Sequence, residues 1–515
     1  MYLLGLDVGT TGCKAIIFSP NGKIVSSAYE EYQLHHRKLE WAELNPEEVW
    51  AKVVMVTRRS IADTKLDPKE IKALAVSSLG EAFMPIDKEG KPLYWSMLFM
   101  DERSREYTLW LEEHIDSKEV FRMTGQTLSS SMPVYTLPRI MWLRKYEPEV
   151  YKNAWKFLLW EDFVNFKLSG VPVIDYTLAA RTMMLDIRKK KWNSEILELA
   201  GLEEDQLPSV HLSGTVVGEV QEGASKEIGL AKGTLVVTGG HDQPCGLFGC
   251  GVIESGPLMD STGTVECFGI VQRELTLTDK ILAQGFPVHP YVLYETYDML
   301  GFNPTSGVVL RWFRDNLSYE EREEAKTKNS NVYDLLMNKA SQSPLGSLGL
   351  FFMPYFEGSG TPTFNRNAKG AFIGLTLAHG KKDIIRSITE GLSYELRLNI
   401  ECIEEQGTDV TEIRAIGGGA RSDFWLQVKA DVTGRKIVVP NITEAAALGA
   451  ATLAGLGSGV YKDAKDVIKQ TYGIKKVITP DSNNTSAYKK YYEIYKGLYN
   501  SLKTMFDEMA TLRTD

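Results

Sequence analysis

The stretch Leu235-Val236-Val237-Thr238-Gly239-Gly240-His241-Asp242-Gln243-Pro244 decides how this chain is interpreted. A short apolar run, typical of a buried strand, ends in two glycines. One carboxylate, Asp242, then stands where a loop turns into a helix of small residues. Glycine permits close approach of a ligand to the backbone, and open α/β sheets place their ligand crevice at the ends of their strands. Asp242 is therefore a candidate catalytic base.

Two other interpretations of the same stretch stay open at this point. In the first, Asp242 serves only as the N-cap of a helix whose first turn holds Pro244, which is a common arrangement. In the second, His241, Cys245 and Cys250 form a zinc site, although no second metal-like cluster accompanies them.

A similar loop occurs on each side of this stretch. The first runs Leu4-Gly5-Leu6-Asp7-Val8-Gly9-Thr10-Thr11-Gly12-Cys13-Lys14, and the second runs Leu258-Met259-Asp260-Ser261-Thr262-Gly263-Thr264-Val265-Glu266-Cys267. Each reads as strand, Asp, Gly/Thr turn and strand. The N–H and hydroxyl groups of such a turn can surround phosphate oxygens, and the carboxylate beside it can hold hydrated magnesium. One copy alone indicates no more than a β-hairpin, but two copies predict a duplicated, two-lobed nucleotide clamp.

The composition limits the classes of protein to which the chain can belong. With 515 residues, 43% of them hydrophobic, the chain is long enough for two domains. A net charge of -9 provides no electrostatic footprint for nucleic acid or an anionic membrane. Five irregularly spaced cysteines argue for a reducing compartment. Because neither a signal peptide nor a membrane-spanning apolar run is evident, we expect a soluble, cytoplasmic protein.

Further candidate residues lie where strands are predicted to end. Glu81, Asp101 and Arg103 follow predicted strands, where polar groups can converge on a small ligand, although each is equally explained as a surface charge. The loop Gly417-Gly418-Gly419-Ala420-Arg421-Ser422-Asp423 opens a helix, so its backbone can lie against a base or ribose. By itself this loop is equally explained by close helix–strand packing. The segment from Glu444 to Gly455, rich in Ala and Gly, predicts a helix pressed tightly against a sheet.

Further motifs occur in a recognisable order along nearly the whole chain. In addition to the segments quoted above, they are Trp41-Ala42-Glu43-Leu44-Asn45-Pro46, Gly374-Leu375 with Arg386 and Glu390-Gly391, and Ala446-Ala447-Leu448-Gly449-Ala450-Ala451. Together they resemble the FGGY carbohydrate kinases, which belong to the actin/Hsp70/hexokinase-like ATPase superfamily. One departure is Arg139, which stands where the first signature of the family usually has Lys.

The resemblance implies an α/β fold of two actin-like (ribonuclease H-like) domains, residues 1–244 and 245–515, with a central cleft for ATP and sugar. It further implies an ATP- and Mg²⁺-dependent kinase in which Asp242 takes the proton from the attacking hydroxyl. Asp7 and Asp242 would hold the magnesium ion, through water. The ATP- and phosphate-binding residues implied by the resemblance are Gly9, Thr10, Thr11, Lys14, Gly263, Thr264, Gly418, Gly419, Ala420 and Asp423.

The pocket positions for the sugar combine features of several members of that family. The implied substrate-binding residues are Glu81, Phe99, Asp101, Arg103, Asp242 and Gln243. Glu81 and Asp242-Gln243 are similar to glycerol kinases, although Gly80 stands where those have Arg. Asp101 and Arg103 look like xylulose kinases, although Phe99 replaces the usual tryptophan. The glycine before His241-Asp242 resembles deoxyketose kinases such as fuculokinase.

We therefore expect the substrate to be a ketose such as xylulose, with a polyol or a deoxyketose as alternatives. The carboxylates of Glu81 and Asp101 would bind hydroxyls and disfavour an acidic sugar. The expected partner is a small sugar, with neither nucleic acid nor membrane, and a homodimer is a candidate assembly. Two remote alternatives are an actin- or Hsp70-like ATPase without kinase activity and a sugar-sensing regulator.

Overall fold

The computed structural model describes residues 1–131 and 133–512 of the chain. The strands are β1 Tyr2–Val8, β2 Gly12–Phe18, β3 Ile24–Glu31, β4 Glu43–Leu44, β5 Ile71–Ser78, β6 Phe83–Ile86, β7 Ser96–Met97, β8 Lys156–Leu159, β9 Val173–Asp175, β10 Leu185–Asp186, β11 Lys191–Trp192, β12 Ser209–His211, β13 Val216–Glu219, β14 Leu235–His241, β15 Pro257–Thr262, β16 Glu266–Gln272, β17 Val288–Pro290, β18 Tyr297–Asn303, β19 Phe351–Met353, β20 Ala371–Ile373, β21 Glu412–Gly417, β22 Lys436–Pro440 and β23 Ile474–Ile478.

Helices separate most of these strands and cover the faces of the sheets. They are α1 Pro46–Ala62, α2 Arg105–His114, α3 Ser117–Thr124, α4 Thr136–Tyr146, α5 Pro148–Asn153, α6 Trp160–Ser169, α7 Tyr176–Arg181, α8 Ser194–Ala200, α9 Glu222–Ile228, α10 Asp242–Gly249, α11 Asp279–Ala283, α12 Gly307–Leu317, α13 Tyr319–Lys328, α14 Val332–Ala340, α15 Lys381–Glu404, α16 Asp423–Thr433, α17 Ala445–Gly457, α18 Ala464–Thr471 and α19 Ser482–Thr511.

The N-terminal lobe is built on a six-stranded sheet of order β13-β14-β5-β1-β2-β3. β1 pairs antiparallel with β2 and parallel with β5, and β14 joins β5 in parallel. Alternate residues of β1 are buried on opposite faces, because Leu4 and Leu6 lie in the core that contains α1 whereas Leu3 and Gly5 face α17. Strands covered on both faces are expected to be almost continuously apolar, as β1 and β5 are.

The C-terminal lobe repeats this arrangement. Its seven-stranded sheet has the order β17-β18-β16-β15-β21-β22-β23. β15 pairs antiparallel with β16 and parallel with β21, and β22 joins β21 in parallel. The strands β3-β2-β1-β5-β14 and β18-β16-β15-β21-β22 therefore match in order and direction, and the two motifs noticed in the sequence are the equivalent hairpins β1–β2 and β15–β16.

Two helices cross between the sheets at the centre of the molecule. α10 follows β14, α17 follows β22, and the two pack against each other; α17 also packs against β1, β5 and β14, and α10 against β14 and β16. A Cβ added at Gly249 would lie 1.9 Å from the carbonyl oxygen of Ala445, and one added at Gly449 would lie 1.9 Å from that of Cys245. The small residues predicted to press a helix against a sheet are thus required where these two backbones touch.

The predicted boundary between residues 244 and 245 falls inside α10, and residues 513–515 of the predicted second domain lie outside the described residues. Because α17 packs on the N-terminal sheet, the two lobes share this central layer. Among the described residues, no helix combines the length and the apolar character needed to cross a bilayer.

Candidate active site

The end of β14 places Asp242 at the start of α10. Only glycine fits at position 239, because a Cβ there would lie 2.0 Å from a backbone oxygen of β5. The N–H of His241 donates a hydrogen bond to Oγ1 of Thr177 at 2.8 Å, which holds the last residue of the strand. His241 occupies the N-cap position and no side chain caps the helix, so the carboxylate of Asp242 does not act as the N-cap.

The carboxylate of Asp242 is partly enclosed, with 30% of its side chain exposed. Burial and the neighbouring negative charge of Asp7 raise the pKa of Asp242 to about 7. Burial and the charge of Arg181 hold the pKa of His241 well below its usual range, so that imidazole is neutral. Its Nε2 lies 3.1 Å from Oδ1 of Asp242, and with the proton on Nε2 it donates a hydrogen bond to the carboxylate. Asp242 is therefore suited to accept a proton near neutral pH.

The turn of the first hairpin follows the carboxyl end of β1, at the same edge of the sheet as the end of β14, because Val8 and His241 both pair with Ser78 of β5. The N–H of Gly9 donates to the carbonyl of Gly12 at 3.0 Å and closes the turn. The hydroxyl of Tyr32 donates to the same carbonyl at 3.0 Å, so the turn is held from behind. Thr10 is partly exposed and Thr11 is exposed at the tip. The tip of this turn is thus accessible to a ligand, although the side chain of Thr11 also hydrogen-bonds to Tyr29.

Asp7 and Lys14 flank that turn on the two paired strands. Oδ1 of Asp7 accepts a hydrogen bond from the hydroxyl of Ser77 at 3.1 Å, and burial raises the pKa of Asp7. Nζ of Lys14 lies 2.7 Å from Oε2 of Glu444, the residue that precedes α17. Lys14 is thus paired with a carboxylate of the C-terminal half, and its predicted contact with phosphate stays a prediction.

The second hairpin turn is supported by the start of α12. The N–H of Gly263 donates to the carbonyl of Val265 at 2.8 Å, and the carbonyl of Gly263 accepts from the N–H of Gly307 at 2.9 Å. A Cβ at Gly307 would lie 2.3 Å from that carbonyl oxygen. The hydroxyl of Thr264 accepts a hydrogen bond from Nη2 of Arg311 at 3.3 Å. Arg311 is therefore a cation at the second turn that the sequence pattern did not single out.

The two hairpins differ in the state of their aspartates. Asp260, the counterpart of Asp7, is fully buried with its Oδ2 2.5 Å from Nζ of Lys429. The same ammonium group lies 2.6 Å from Oε1 of Glu266 and 2.7 Å from Oγ1 of Thr262. Asp260 is consequently neutralised inside the lobe, whereas Asp7 is partly exposed. The duplicated fold thus retains one partly exposed aspartate of the two.

The glycine loop predicted for adenosine lies against the second hairpin. Gly417 has a φ of +80°, which favours glycine, and a Cβ at this residue would lie 2.6 Å from the carbonyl oxygen of Thr262. A Cβ at Gly419 would lie 2.6 Å from the Cβ of the same threonine. Gly418 is exposed, and Ala420 is partly exposed. The loop therefore brings open backbone next to the turn that contains Gly263.

Asp423 lies at the start of α16 and is mostly exposed, with 71% of its side chain accessible. Its carboxylate forms an ion pair with Lys476 of β23. Its predicted contact with adenosine stays a prediction.

Glu81 belongs to a largely buried polar cluster that includes a residue not predicted from the sequence, Arg181. Glu81 has a φ of 62°, which is uncommon for a residue other than glycine and costs on the order of 1–3 kcal/mol. Its carbonyl accepts a hydrogen bond from the hydroxyl of Thr136 at 2.7 Å, and its carboxylate forms an ion pair with Nη2 of Arg181. Nη1 of Arg181 lies 3.2 Å from Oε1 of Gln126.

The same guanidinium reaches the C-terminal lobe. Nη1 of Arg181 lies 3.4 Å from Nε2 of His289, and Nδ1 of that histidine lies 3.1 Å from Oδ2 of Asp298. Since arginine can only donate, Nε2 of His289 must accept and its proton must lie on Nδ1, which donates to Asp298. No short motif marks these residues, because they are separated along the chain and meet only in the folded protein.

Asp101 and Arg103 lie in a separate buried ion pair. Oδ1 and Oδ2 of Asp101 accept hydrogen bonds from Nε and Nη2 of Arg103 at 2.8 and 2.7 Å. The N–H of Ala42 also donates to Oδ2 at 2.7 Å, and Nη2 of Arg103 lies 2.8 Å from Oε1 of Glu43. Their carboxylate and guanidinium groups thus satisfy each other inside the N-terminal lobe. Glu81 and Asp101, predicted to act as a pair on sugar hydroxyls, have separate cationic partners.

The remaining two predicted sugar residues differ in exposure. Phe99 is 42% exposed, and Gln243 is partly buried in the first turn of α10, next to Asp242. The roles of Phe99, Asp101, Arg103 and Gln243 toward the sugar stay predictions.

The geometry agrees with what the comparison with known proteins shows. Residues 2–249 match the N-terminal domain of the FGGY family of carbohydrate kinases, and residues 258–458 match the C-terminal domain of that family. The chain belongs to the FGGY family of carbohydrate kinases. It is an enzyme that phosphorylates a small sugar or polyol with ATP, and the expected two-domain, actin-like fold is confirmed.

Relatives within this family carry different substrate names. The xylulose kinase of Bacillus subtilis is 27% identical over 99% of both chains. The gluconokinase of the same species is 31% identical over 99% of this chain and 98% of its own. The crystal structure of ligand-bound xylulose kinase from Lactobacillus acidophilus superposes with a TM-score of 0.90, at 24% identity and 99% coverage of both chains. This last likeness shows the fold alone.

The residues at the cleft fit a magnesium ion better than zinc. Within residues 1–131 and 133–512, no group of three or more His, Cys, Asp and Glu side chains could hold a metal ion. Cys245 and Cys250 are fully buried, and the thiol of Cys250 donates to a backbone carbonyl at 3.3 Å. Asp7 and Asp242 provide two neighbouring carboxylates, and Mg²⁺ is usually held by one or two carboxylates together with substrate phosphates and water.

Proposed function

We propose that the enzyme transfers the γ-phosphoryl group of ATP to a hydroxyl of a neutral ketose, with a pentulose such as xylulose first, and that Asp242 is the base. The observation that carries this proposal is the position of Asp242 directly after the end of β14. There it is close enough to Asp7 of the β1–β2 hairpin for the two charges to interact. A catalytic base must lie within reach of the substrate hydroxyl and have a pKa near the working pH.

In this mechanism the protein aligns the reactants and stabilises charge, because phosphoryl transfer requires little covalent chemistry from the enzyme. Asp242 takes the hydroxyl proton, while the hydrogen bond from Nε2 of His241 orients the carboxylate. The turns at Thr10 and Gly263 contact the phosphates from the two lobes, and the loop at Gly418 contacts the adenosine. Mg²⁺, held through water by Asp7 and Asp242, would supply charge neutralisation for the transferred group. Closure of the lobes would keep water away from the phosphoryl group.

The charges at the cleft favour a neutral acceptor over a sugar acid. Arg181 is matched by Glu81, and Lys14 is matched by Glu444. The carboxylates of Asp7 and Asp242 add negative charge, which repels an acidic substrate. The similarity to the xylulose kinase of Bacillus subtilis supports a ketose as the substrate. The gluconokinase of the same species has the higher sequence identity of the two, so gluconate is the competing candidate. A polyol or a deoxyketose would satisfy the same charges.

The test measures ADP release from ATP and Mg²⁺ with D-xylulose, D-ribulose, L-fuculose, erythritol, glycerol, gluconate and no acceptor. We expect one of the neutral acceptors to give the highest kcat/KM. The highest kcat/KM for gluconate would refute the choice of a neutral acceptor. Equal turnover with and without every acceptor would instead indicate that the protein hydrolyses ATP without phosphorylating any of these compounds.

Two further points belong to the same proposal. We propose that residues 1–244 contribute most of the sugar site and residues 245–515 most of the ATP site, and that the enzyme acts in the cytoplasm as a homodimer. Light scattering of the purified protein measures the assembly directly, and a mass other than that of two chains would exclude the homodimer.

A further inference from the structure

Arg181 occupies a position that a purely structural arginine would not need. It is the last residue of α7 in the N-terminal lobe, and its side chain is 13% exposed. Its guanidinium contacts Glu81 and Gln126 of its own lobe and His289 of the C-terminal lobe. The arginine therefore lies at the junction of the two lobes, where an acceptor must be held while the lobes close around ATP.

Polar atoms around this junction lack partners. Nε of Arg181 and Nδ1 of His241 are buried and make no hydrogen bond among the described residues. Oδ1 of Asp298, behind His289, is in the same state. Burying a polar atom without a partner costs about 1–3 kcal/mol, so such atoms usually mark a place where water or a ligand binds. The unpaired atoms of Arg181 and His241, both of which lie near Asp242, point to a polar ligand there, whereas Oδ1 of Asp298 is buried behind His289.

The backbone at Glu81 points to the same place. Its left-handed conformation is held by the hydrogen bond from Thr136 to its carbonyl and by the ion pair with Arg181. Such conformations persist where the surrounding structure enforces them, and they are concentrated at ligand sites. Here the strained residue directs its carboxylate to the arginine. A carboxylate and a guanidinium side by side can accept from one hydroxyl and donate to the next.

We propose that Arg181 is a specificity-determining residue that donates hydrogen bonds to hydroxyl groups of the acceptor sugar. This inference rests on the proposed function, since it needs a sugar acceptor, and it adds a residue outside the predicted set. Glu81 accepts from the sugar beside it. The His289–Asp298 pair of the other lobe fixes the guanidinium, so the acceptor is recognised by both lobes. Asp175 stabilises the helix that carries Arg181: it caps the start of α7 by accepting a hydrogen bond from the N–H of Thr177 at 2.8 Å.

The charge balance of this pair also determines which acceptors it tolerates. The positive charge of Arg181 is already matched by Glu81, so the two N–H groups that remain, on Nε and Nη2, attract a neutral hydroxyl without an excess positive field. A sugar carboxylate near this pair would approach Glu81 as well and be repelled. Arg181 thus favours polyhydroxylated neutral acceptors and does not act as a carboxylate clamp.

The test compares two variants of the full-length enzyme with the wild type. Arg181→Met combined with Glu81→Gln removes the pair without leaving one charge buried alone, and Arg181→Lys keeps the charge but loses the planar fork. With the best neutral acceptor of the panel above, we expect each to raise KM for the acceptor by about ten- to a hundredfold, the range for hydrogen bonds to charged groups. The KM for ATP should change by less than about threefold.

A matched control is Arg397→Met, because Arg397 is also a mostly buried arginine paired with a carboxylate but lies outside the predicted site: its Nε lies 3.2 Å from Oε1 of Glu401, and its Nη1 donates to the carbonyl of Val432 at 3.0 Å. It should lower the thermal midpoint and leave the acceptor KM within about twofold of wild type. The Arg181 variants should in addition lose their preference among the neutral acceptors, an effect that a merely structural role would not produce.

Three results would overturn the inference. The first is an acceptor KM and a preference that stay at the wild-type values in both folded variants. The second is an equal rise in KM for ATP and acceptor, which would indicate general distortion. The third is failure of both variants to fold, which would assign Arg181 to stability. If the wild type itself phosphorylates none of the neutral acceptors, it is the proposed function that fails, and this outcome is recognised before any variant is made.

Discussion

The acid side of the pH–rate profile tests the role of Asp242 most directly. With a pKa of about 7, the ionised fraction of the carboxylate falls from about 90% at pH 8 to about 10% at pH 6. Only the ionised form can take a proton from the acceptor hydroxyl. We therefore expect kcat/KM to fall about tenfold between pH 8 and pH 6, when both substrates are well below their KM values and the free enzyme is reported.

The pH at which kcat/KM falls, the acid limb of the profile, depends on the charges that face Asp242. Asp7 raises its pKa and Arg181 lowers it, while the neutral His241 contributes a hydrogen bond. Asp7→Asn removes the repulsion, so the limb should move to lower pH, although the rate falls at every pH because a magnesium-binding carboxylate is lost. Ser77→Ala is the control, since it removes a hydrogen bond to Asp7 but no charge, and its limb should stay much nearer that of the wild type.

The assay is coupled ADP release from pH 5.5 to pH 9 at constant ionic strength. Asp242→Asn should lower kcat by about a hundred- to ten-thousandfold, the usual contribution of a general base, and leave a residual rate that no longer follows the limb. A wild-type rate that is flat between pH 6 and pH 8, or a limb that stays in place in Asp7→Asn, would refute the assignment of Asp242 as the titrating base.

Other predictions concern stability and are measured by thermal or urea unfolding. Lys429→Met leaves two buried carboxylates without their cation and should cost about 3–5 kcal/mol, whereas the exposed Lys503→Met should change little; an equal effect of both would show that the buried network is not stabilising. Gly449→Ala forces a methyl group to within 1.9 Å of a backbone oxygen and should cost at least about 1–3 kcal/mol. Gly497→Ala, at a helical site where an added Cβ would meet nothing within 4 Å, should stabilise the protein by about 0.5–1 kcal/mol. A larger loss of stability from Gly497→Ala than from Gly449→Ala would contradict the close packing of the two central helices. Because folding raises the pKa of Asp242, ionisation of this carboxylate lowers the free energy of unfolding as the pH rises from about 4 to about 7. Asp242→Asn should therefore raise the melting temperature at pH 8. A lower melting temperature of this variant at pH 8 would show that the ionised carboxylate does not destabilise the fold.

Several features could be predicted from short stretches because each depends on local backbone geometry. The two hairpins with Asp7 and Asp260 recur as one pattern, and the structure shows them at equivalent places in two sheets of the same order. The Ala- and Gly-rich segment after residue 444 predicted tight packing, and the helix there does contact backbone directly. Asp242 was singled out because a strand, two glycines and a helix start follow one another in the chain.

The tertiary structure alone decided which charged groups are paired. Glu81 and Arg181 are 100 residues apart in sequence, and His289 comes from the other lobe. Nothing in the spacing of Asp101 and Arg103 indicated that they would neutralise each other in a buried pair. Nor could the local pattern distinguish Asp7 from Asp260, because Lys429, which neutralises the second, lies on a helix far along the chain.

The physical reason is the range of the interactions. Turns, strand ends and close backbone contacts are governed by a few neighbouring residues, so their signatures can be seen in the sequence. Ion pairs and the pKa of a buried carboxylate depend on every charge within several ångströms, whatever its place in the chain. The sequence therefore determined the fold, the duplication and the candidate base, whereas the charge of the site, and with it the place of Arg181, was decided only when the two lobes came together.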